Sequence, residues 1–207
     1  MIQVSQVKKN YGKKRILEEI SFQVCAGEAA AIVGRNGCGK STLLQVLAGI
    51  EKADGGSISY FTHPVSEDRR AFKRFCGYVP QENPLMEELS VRDNIRLWGG
   101  GKEPRTKEII SRFELGELLK TPVEKLSGGM KRRLAIACAL FHAPPILLLD
   151  EPTAALDYYY RDSIREWMEE YRNGGGIIVM ATHDEKEISW ADKCLLMEKG
   201  RLKEENR

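Results

Sequence analysis

The octapeptide GRNGCGKS, residues 34–41, constrains the fold of this chain more than any other stretch. It follows the continuous apolar run AAAIV and opens the helical pattern STLLQVLAGI, so the chain has to place a strand, a glycine-rich turn and a helix in that order. Gly34, Gly37 and Gly39 allow the backbone to curl until its N–H groups wrap a polyphosphate. Lys40 can reach the β and γ phosphates and Ser41 can ligate Mg2+, while Asn36, Cys38 and Thr42 complete the set expected to line the loop.

A loop of this kind needs a parallel sheet behind it. The runs AAAIVG at 29–34, ILLLD at 146–150 and GIIVMAT at 176–182 are continuously apolar and too short for buried helices, the pattern of parallel strands covered on both faces. Between them, RDSIREWMEEYR places Ile164, Trp167, Met168 and Tyr171 on one helical stripe. Before them, IQVSQV and ISFQV alternate apolar and polar residues, as half-buried antiparallel strands do. The fold class is therefore α/β: a P-loop NTPase core with a parallel sheet, an N-terminal antiparallel β subdomain and a helical insertion over about 82–126, where helical patches are broken by GGG and prolines. The final EKGRLKEENR reads as a short polar tail with no room for another domain.

Composition narrows the classes of function. The formal net charge of +2 gives no electrostatic case for nucleic acid or anionic lipid, so basic runs read as solvated faces. Cys25, Cys38, Cys76, Cys138 and Cys194 are odd in number and scattered without a C-x-x-C pair, which fits a reducing compartment. No apolar run approaches the roughly 18 residues that span a bilayer, and MIQVSQVKKNYGKK lacks the apolar centre of a signal peptide, so any membrane role requires a partner.

Two further stretches carry chemistry. ILLLDEP puts Asp150 and Glu151 at the carboxyl end of a buried strand, where open α/β sheets present their ligand crevice. Asp150 is placed to hold a Mg2+ shell and Glu151 to deprotonate an attacking water. LSGGMKRRLAIACAL, residues 126–140, starts a helix with Ser127 and two glycines, and a helix start with free N–H groups favours an anion. Ser127 also serves as a helix N-cap, which does not compete with that role.

With these motifs in hand, the chain resembles the nucleotide-binding subunit of ATP-binding cassette (ABC) transporters over essentially its whole length, as a single domain of residues 1–207. LSGGMK resembles the family's signature motif, YVPQ its Q-loop with Gln81, AALD its D-loop with Asp157, and ATHD its switch loop with His183. The resemblance implies Mg2+ and ATP, with Glu151, His183 and Gln81 as catalytic residues and Ser41, Gln81 and Asp150 as metal ligands. It implies that Tyr11 stacks on adenine and that Ser127, Gly128 and Gly129 reach the γ phosphate held by a second subunit, a copy or a close paralogue, packed head to tail. Met130 and Lys131 depart from the family's usual glutamine, which affects side-chain contacts rather than the phosphate contacts.

The same resemblance implies a transmembrane permease as partner, no nucleic acid, and a position on the cytoplasmic face of the cell membrane. Leu85 and Met86 are candidates to dock a helix of that permease. The signature and the lack of a C-terminal regulatory domain resemble small exporter subunits. The alternative is a soluble ABC ATPase acting on DNA, ribosomes or cofactor assembly, against which stand the missing coiled-coil insertion, second cassette and basic stripe. A scaffold without turnover would lack Glu151 or His183, and both are present.

Overall fold

The computed structural model describes residues 1–65, 69–99, 101, 103–154 and 156–205. The chain opens with β1 (Ile2–Tyr11) and β2 (Lys14–Val24), which pair antiparallel, and continues into β3 (Ala29–Val33) and α1 (Lys40–Leu47). Next come β4 (Gly55–Tyr60), the two-residue β5 (His63–Pro64), α2 (Arg69–Phe75) and β6 (Cys76–Val79). Then follow α3 (Val91–Leu97), α4 (Pro104–Arg112) and α5 (Gly128–Leu140). The remainder alternates β7 (Ile146–Asp150), α6 (Tyr158–Asn173), β8 (Ile177–Ala181), α7 (Glu185–Trp190), β9 (Lys193–Glu198) and β10 (Arg201–Glu205).

Two sheets result. The antiparallel one has the order β2-β1-β4-β5, and the larger one β10-β9-β3-β8-β7-β6. In the larger sheet β9, β3, β8, β7 and β6 run parallel, and β10 folds back antiparallel on β9. This order sets the ends of β3, β8, β7 and β6 side by side, so the segments that leave them share one edge of the sheet, the place where open α/β sheets bind ligands.

The larger sheet separates two cores. Residues of one strand point alternately to opposite faces. In β7, Leu147 and Leu149 join a cluster with Val91, Ile95, Leu134, Ile136, Ile164 and Met168, while Ile146 and Leu148 join one with Ile2, Leu17, Leu43, Leu44, Ile58 and Tyr60. The antiparallel sheet thus covers α1 from one side, and Tyr60 donates from its hydroxyl to the Leu47 carbonyl at the end of that helix.

The structure corrects two readings of the sequence. EKGRLKEENR is not a free tail: residues 201–205 form β10, an edge strand whose exposed charges face water. The basic pair in MKRR is not a solvated face either, because Arg132 is 3% and Arg133 4% exposed. Arg133 donates to the Phe113 carbonyl, pairs with Glu114 and stands over the Tyr160 ring. The strands β4, β6 and β9 were not read from the sequence. Between 82 and 126 the described residues form α3, α4 and a short 3-10 turn (Val123–Lys125), with one isolated bridge between Ser90 and Pro122.

Candidate functional site

Beyond β3 the chain turns through the glycine loop into α1. Gly39, at φ 115°, precedes the helix without any side-chain cap, so the first-turn N–H groups are left for a ligand. A Cβ on Gly39 would lie 3.1 Å from the Ile16 carbonyl oxygen, so the loop passes close to β2. Lys40 is 7% exposed and donates from Nζ to the carbonyls of Gly34 at 2.8 Å and Arg35 at 3.4 Å.

The ends of β7 and β8 supply the acids and the histidine. Asp150 closes β7 and is buried. Glu151 has a left-handed backbone (φ 52°), an uncommon conformation for a side chain of this size, and its N–H donates to Ala181 at 2.9 Å. His183 Nε2 lies 3.2 Å from Lys40 Nζ, 3.1 Å from Asn36 Oδ1 and 3.5 Å from Glu151 Oε1. Unprotonated, that nitrogen accepts from Lys40; protonated, it donates to an oxygen. Burial pushes the Glu151 carboxyl above the ordinary carboxylate range, and His183 and Lys40 pull it part of the way back. The result is a carboxyl whose proton affinity is raised, as suits a proton acceptor.

These groups surround one cavity of about 590 Å³, lined by Ile16, Asn36, Gly37, Gly39, Lys40, Ser41, Thr42, Gln81, Asp150, Glu151, Ala154 and His183. Gln81 reaches it from the segment just beyond β6. Gly34 and Cys38 belong to the same loop and are not among the lining residues. Tyr11 ends β1 and is 46% exposed outside this cavity, with Lys9 Nζ 5.1 Å from its ring centre. Ser127 is an exposed N-cap of α5, its Oγ accepting from the Met130 N–H at 3.2 Å, and it lies with Gly128 and Gly129 outside the cavity lining. Asp157 caps α6 through the Tyr160 N–H, and the neighbouring Ala155 of AALD lies outside the described residues. Of the docking candidates, Met86 is half exposed whereas Leu85 packs partly buried against the helical core.

Sequence reasoning missed two residues here. Ile16 was not singled out, although it lines the cavity beside Gly39 of the loop. Glu187 of α7 is 1% exposed and accepts from the Thr153 hydroxyl at 2.6 Å and from the Thr182 hydroxyl, joining the segments after β7 and β8. A glutamate four residues beyond a histidine carries no local signal that it is buried.

Strand-loop-helix geometry, a buried lysine and two acids at a strand end define a phosphate-loop nucleoside triphosphatase. A family profile described as ABC transporter matches residues 17–154. The chain is 33% identical over 210 residues to the linearmycin resistance ATP-binding protein LnrL of Bacillus subtilis, covering 98% of this chain and 68% of that protein. It is 37% identical to the sulfate/thiosulfate import ATP-binding protein CysA of Pectobacterium atrosepticum, covering 96% of this chain and 64% of that protein. A dimeric ATP-binding cassette in a post-hydrolysis state with ADP and Pi superposes with a TM-score of 0.90 at 26% identity, covering 100% of this chain and 98% of that one. The chain belongs to the ABC transporter family, as a nucleotide-binding subunit with ATPase activity.

Proposed function

We propose that two subunits of this kind close head to tail on ATP and that their closing and reopening drive a substrate through a membrane permease. The observation that carries the reading is the convergence of Lys40, Gln81, Asp150, Glu151 and His183 on one cavity at the carboxyl edge of the sheet. Residues 1–207 act as one ATPase domain with a helical subdomain over about 82–126. Ser127 and Gly128 stand exposed and Gly129 half-buried at a helix start, where a neighbouring subunit's γ phosphate would be met. Tyr11, exposed at the end of β1, is assigned to the adenine ring.

The donor set suits Mg2+. Ser41, Gln81 and Asp150 offer a hydroxyl, an amide carbonyl and a carboxylate, all hard oxygen donors on the cavity wall. Among the described residues no three His, Cys, Asp or Glu side chains gather to hold a metal. The ion would therefore share its shell with phosphate oxygens, as Mg2+ in such sites does, and would neutralise charge developing on the β and γ phosphates. The chain's own residues do the rest. Glu151 takes a proton from water as the water oxygen bonds to the γ phosphorus and the bond from that phosphorus to the bridging oxygen breaks, releasing ADP and phosphate. Lys40 stabilises the phosphoryl oxygens, and His183 holds Glu151 and the γ phosphate in register.

No helix of the described residues is long and apolar enough to cross a membrane. In this reading the permease is a separate partner and the subunit lies beside it on the membrane's cytoplasmic face. Export is the direction favoured by the run LSGGMKRR; the relatives carry both kinds of name, the Nod factor export ATP-binding protein I of Rhizobium at 36% identity over 97% of this chain and 68% of that protein beside the import protein CysA at 37%. Glu151→Gln tests the core of the reading: it should bind ATP, accumulate as an ATP-dependent dimer and hydrolyse about 10²- to 10⁴-fold more slowly. Turnover near that of the unaltered chain would remove Glu151 from the role. Recovery of the chain only in the soluble fraction of its own cells, with no membrane protein attached, would favour the soluble ATPase instead.

A further inference from the structure

Arg132 sits in the second turn of α5, past the glycines of the signature, and is almost wholly buried. Among the described residues no carboxylate forms an ion pair with it. Its five N–H groups instead meet five oxygens of the chain. Nε donates to the Pro152 carbonyl at 3.2 Å; Nη1 donates to the Pro80 carbonyl and to Asn83 Oδ1 at 3.3 Å; Nη2 donates to the Asp150 carbonyl and to the Glu151 carbonyl at 3.0 Å. A guanidinium has five such donors and no more, so the side chain is saturated.

The acceptors come from two places that matter for hydrolysis. Three are the consecutive carbonyls of residues 150–152, which converge where Glu151 adopts its left-handed backbone. Carbonyls gathered in a buried turn need donors, and a residue held at positive φ persists only where its surroundings over-determine it. The other two, Pro80 and Asn83, flank Gln81. Burial lowers the Arg132 pKa to about 10, with Asp150, Glu151 and Glu187 opposing that shift, so the group stays charged at neutral pH and its bonds are charge-assisted.

We propose that Arg132 is a positioning residue for ATP hydrolysis: it clamps the backbone of Glu151 in its left-handed conformation and ties that conformation to the loop carrying Gln81. A shift of α5 or of the Gln81 loop then re-aims the base without any side chain between them touching substrate. The inference rests on the reading of Glu151 as the base.

The test uses the purified full chain with Arg132→Met, which keeps an apolar stem and removes every donor, and Arg132→Lys, which keeps the charge and at most three donors. Equilibrium ATP binding, kcat, KM and melting temperature are measured for each. Arg132→Met should bind ATP as the unaltered chain does while kcat falls by about 10²-fold, and lysine should restore part of the loss. In the Glu151→Gln background, single-turnover rates should show little further loss from Arg132→Met, because both changes act through the same group.

A folded Arg132→Met with unchanged kcat overturns the proposal, as does a loss that multiplies in full with Glu151→Gln, or one that appears equally in ATP affinity. Should the methionine variant not fold, Arg132→Lys decides: unaltered kcat and melting refute the clamp, and lowered kcat at unaltered ATP affinity supports it. Fast turnover by Glu151→Gln alone would overturn the assignment of the base and this inference with it, whereas slow turnover there with normal Arg132 variants sinks only the clamp.

Discussion

Glu187→Ala should destabilise the chain by about 2–3 kcal/mol. The alanine removes the acceptor of two buried hydroxyls, those of Thr153 and Thr182, which are 4% and 0% exposed. Each orphaned hydroxyl costs about 1–3 kcal/mol. Two effects reduce the sum: the Thr182 hydroxyl keeps its bond from the Asp184 N–H at 3.0 Å, and a carboxyl that burial disfavours in its charged form is gone. For a chain of this size each kcal/mol moves the melting midpoint by about 2–4 °C, so a fall of roughly 4–12 °C is expected by circular dichroism. Glu187→Gln keeps the shape and should lose less than about 1 kcal/mol near neutral pH. Its comparison with the unaltered chain fixes the sign. Burial raises the Glu187 carboxyl above its unfolded value, so its stabilising contribution is full below the unfolded pKa and is lost as pH rises through the folded one. The glutamine variant lacks that loss and should gain on the unaltered chain as pH rises above the ordinary carboxylate range. An alanine variant within about 1 kcal/mol of the unaltered chain, or a glutamine difference that does not change with pH, refutes the reasoning.

Other outcomes follow from the site. Lys40→Ala and Ser127→Arg should each silence the homodimer, while a mixture of the two should regain ATPase activity, since one of its two composite sites pairs an intact loop with an intact signature. No recovery despite proven heterodimers and proven one-site turnover would deny that Ser127 serves a neighbour. Alkylation of Cys38, whose Sγ would lie 2.9 Å from a Cβ on Gly34, should abolish ATP binding by crowding the loop, and Mg-ATP should protect the thiol. Mass spectrometry together with a nucleotide titration reads both, and a fully modified loop with normal affinity would contradict the phosphate cradle.

The strands that hold the site were readable because burial on both faces leaves a continuous apolar run, as in ILLLD and AAAIV. The glycine loop was readable because its chemistry is local, all within eight residues. Arg132 was not. Its acceptors lie at positions 80, 83 and 150–152, and no short window of sequence shows that a basic residue will find them. Reading charge as solvation fails wherever backbone carbonyls gather out of sight of water. The strand β10 escaped for a related reason: only Leu202 of this edge strand packs against the core, so there is no apolar alternation to read, and backbone pairing with β9 leaves no mark on the other side chains. Ser127 with its two glycines, which the proposed function assigns to a neighbouring subunit's nucleotide, looks within one chain like an ordinary capped helix.

The strand that ends in Asp150 answers to two masters in volume. Leu147 and Leu149 are fitted to one core, Ile146 and Leu148 to the other, and because successive side chains point apart, space lost on one face cannot be refilled from the other. A substitution here must suit its own core while leaving the backbone where the opposite core requires it. The acids at the end of the strand inherit that double constraint. For an engineer seeking to alter the rate without touching the pocket, paired changes on the two faces of β7 are the lever: each face can tilt the same carboxylates, from opposite sides.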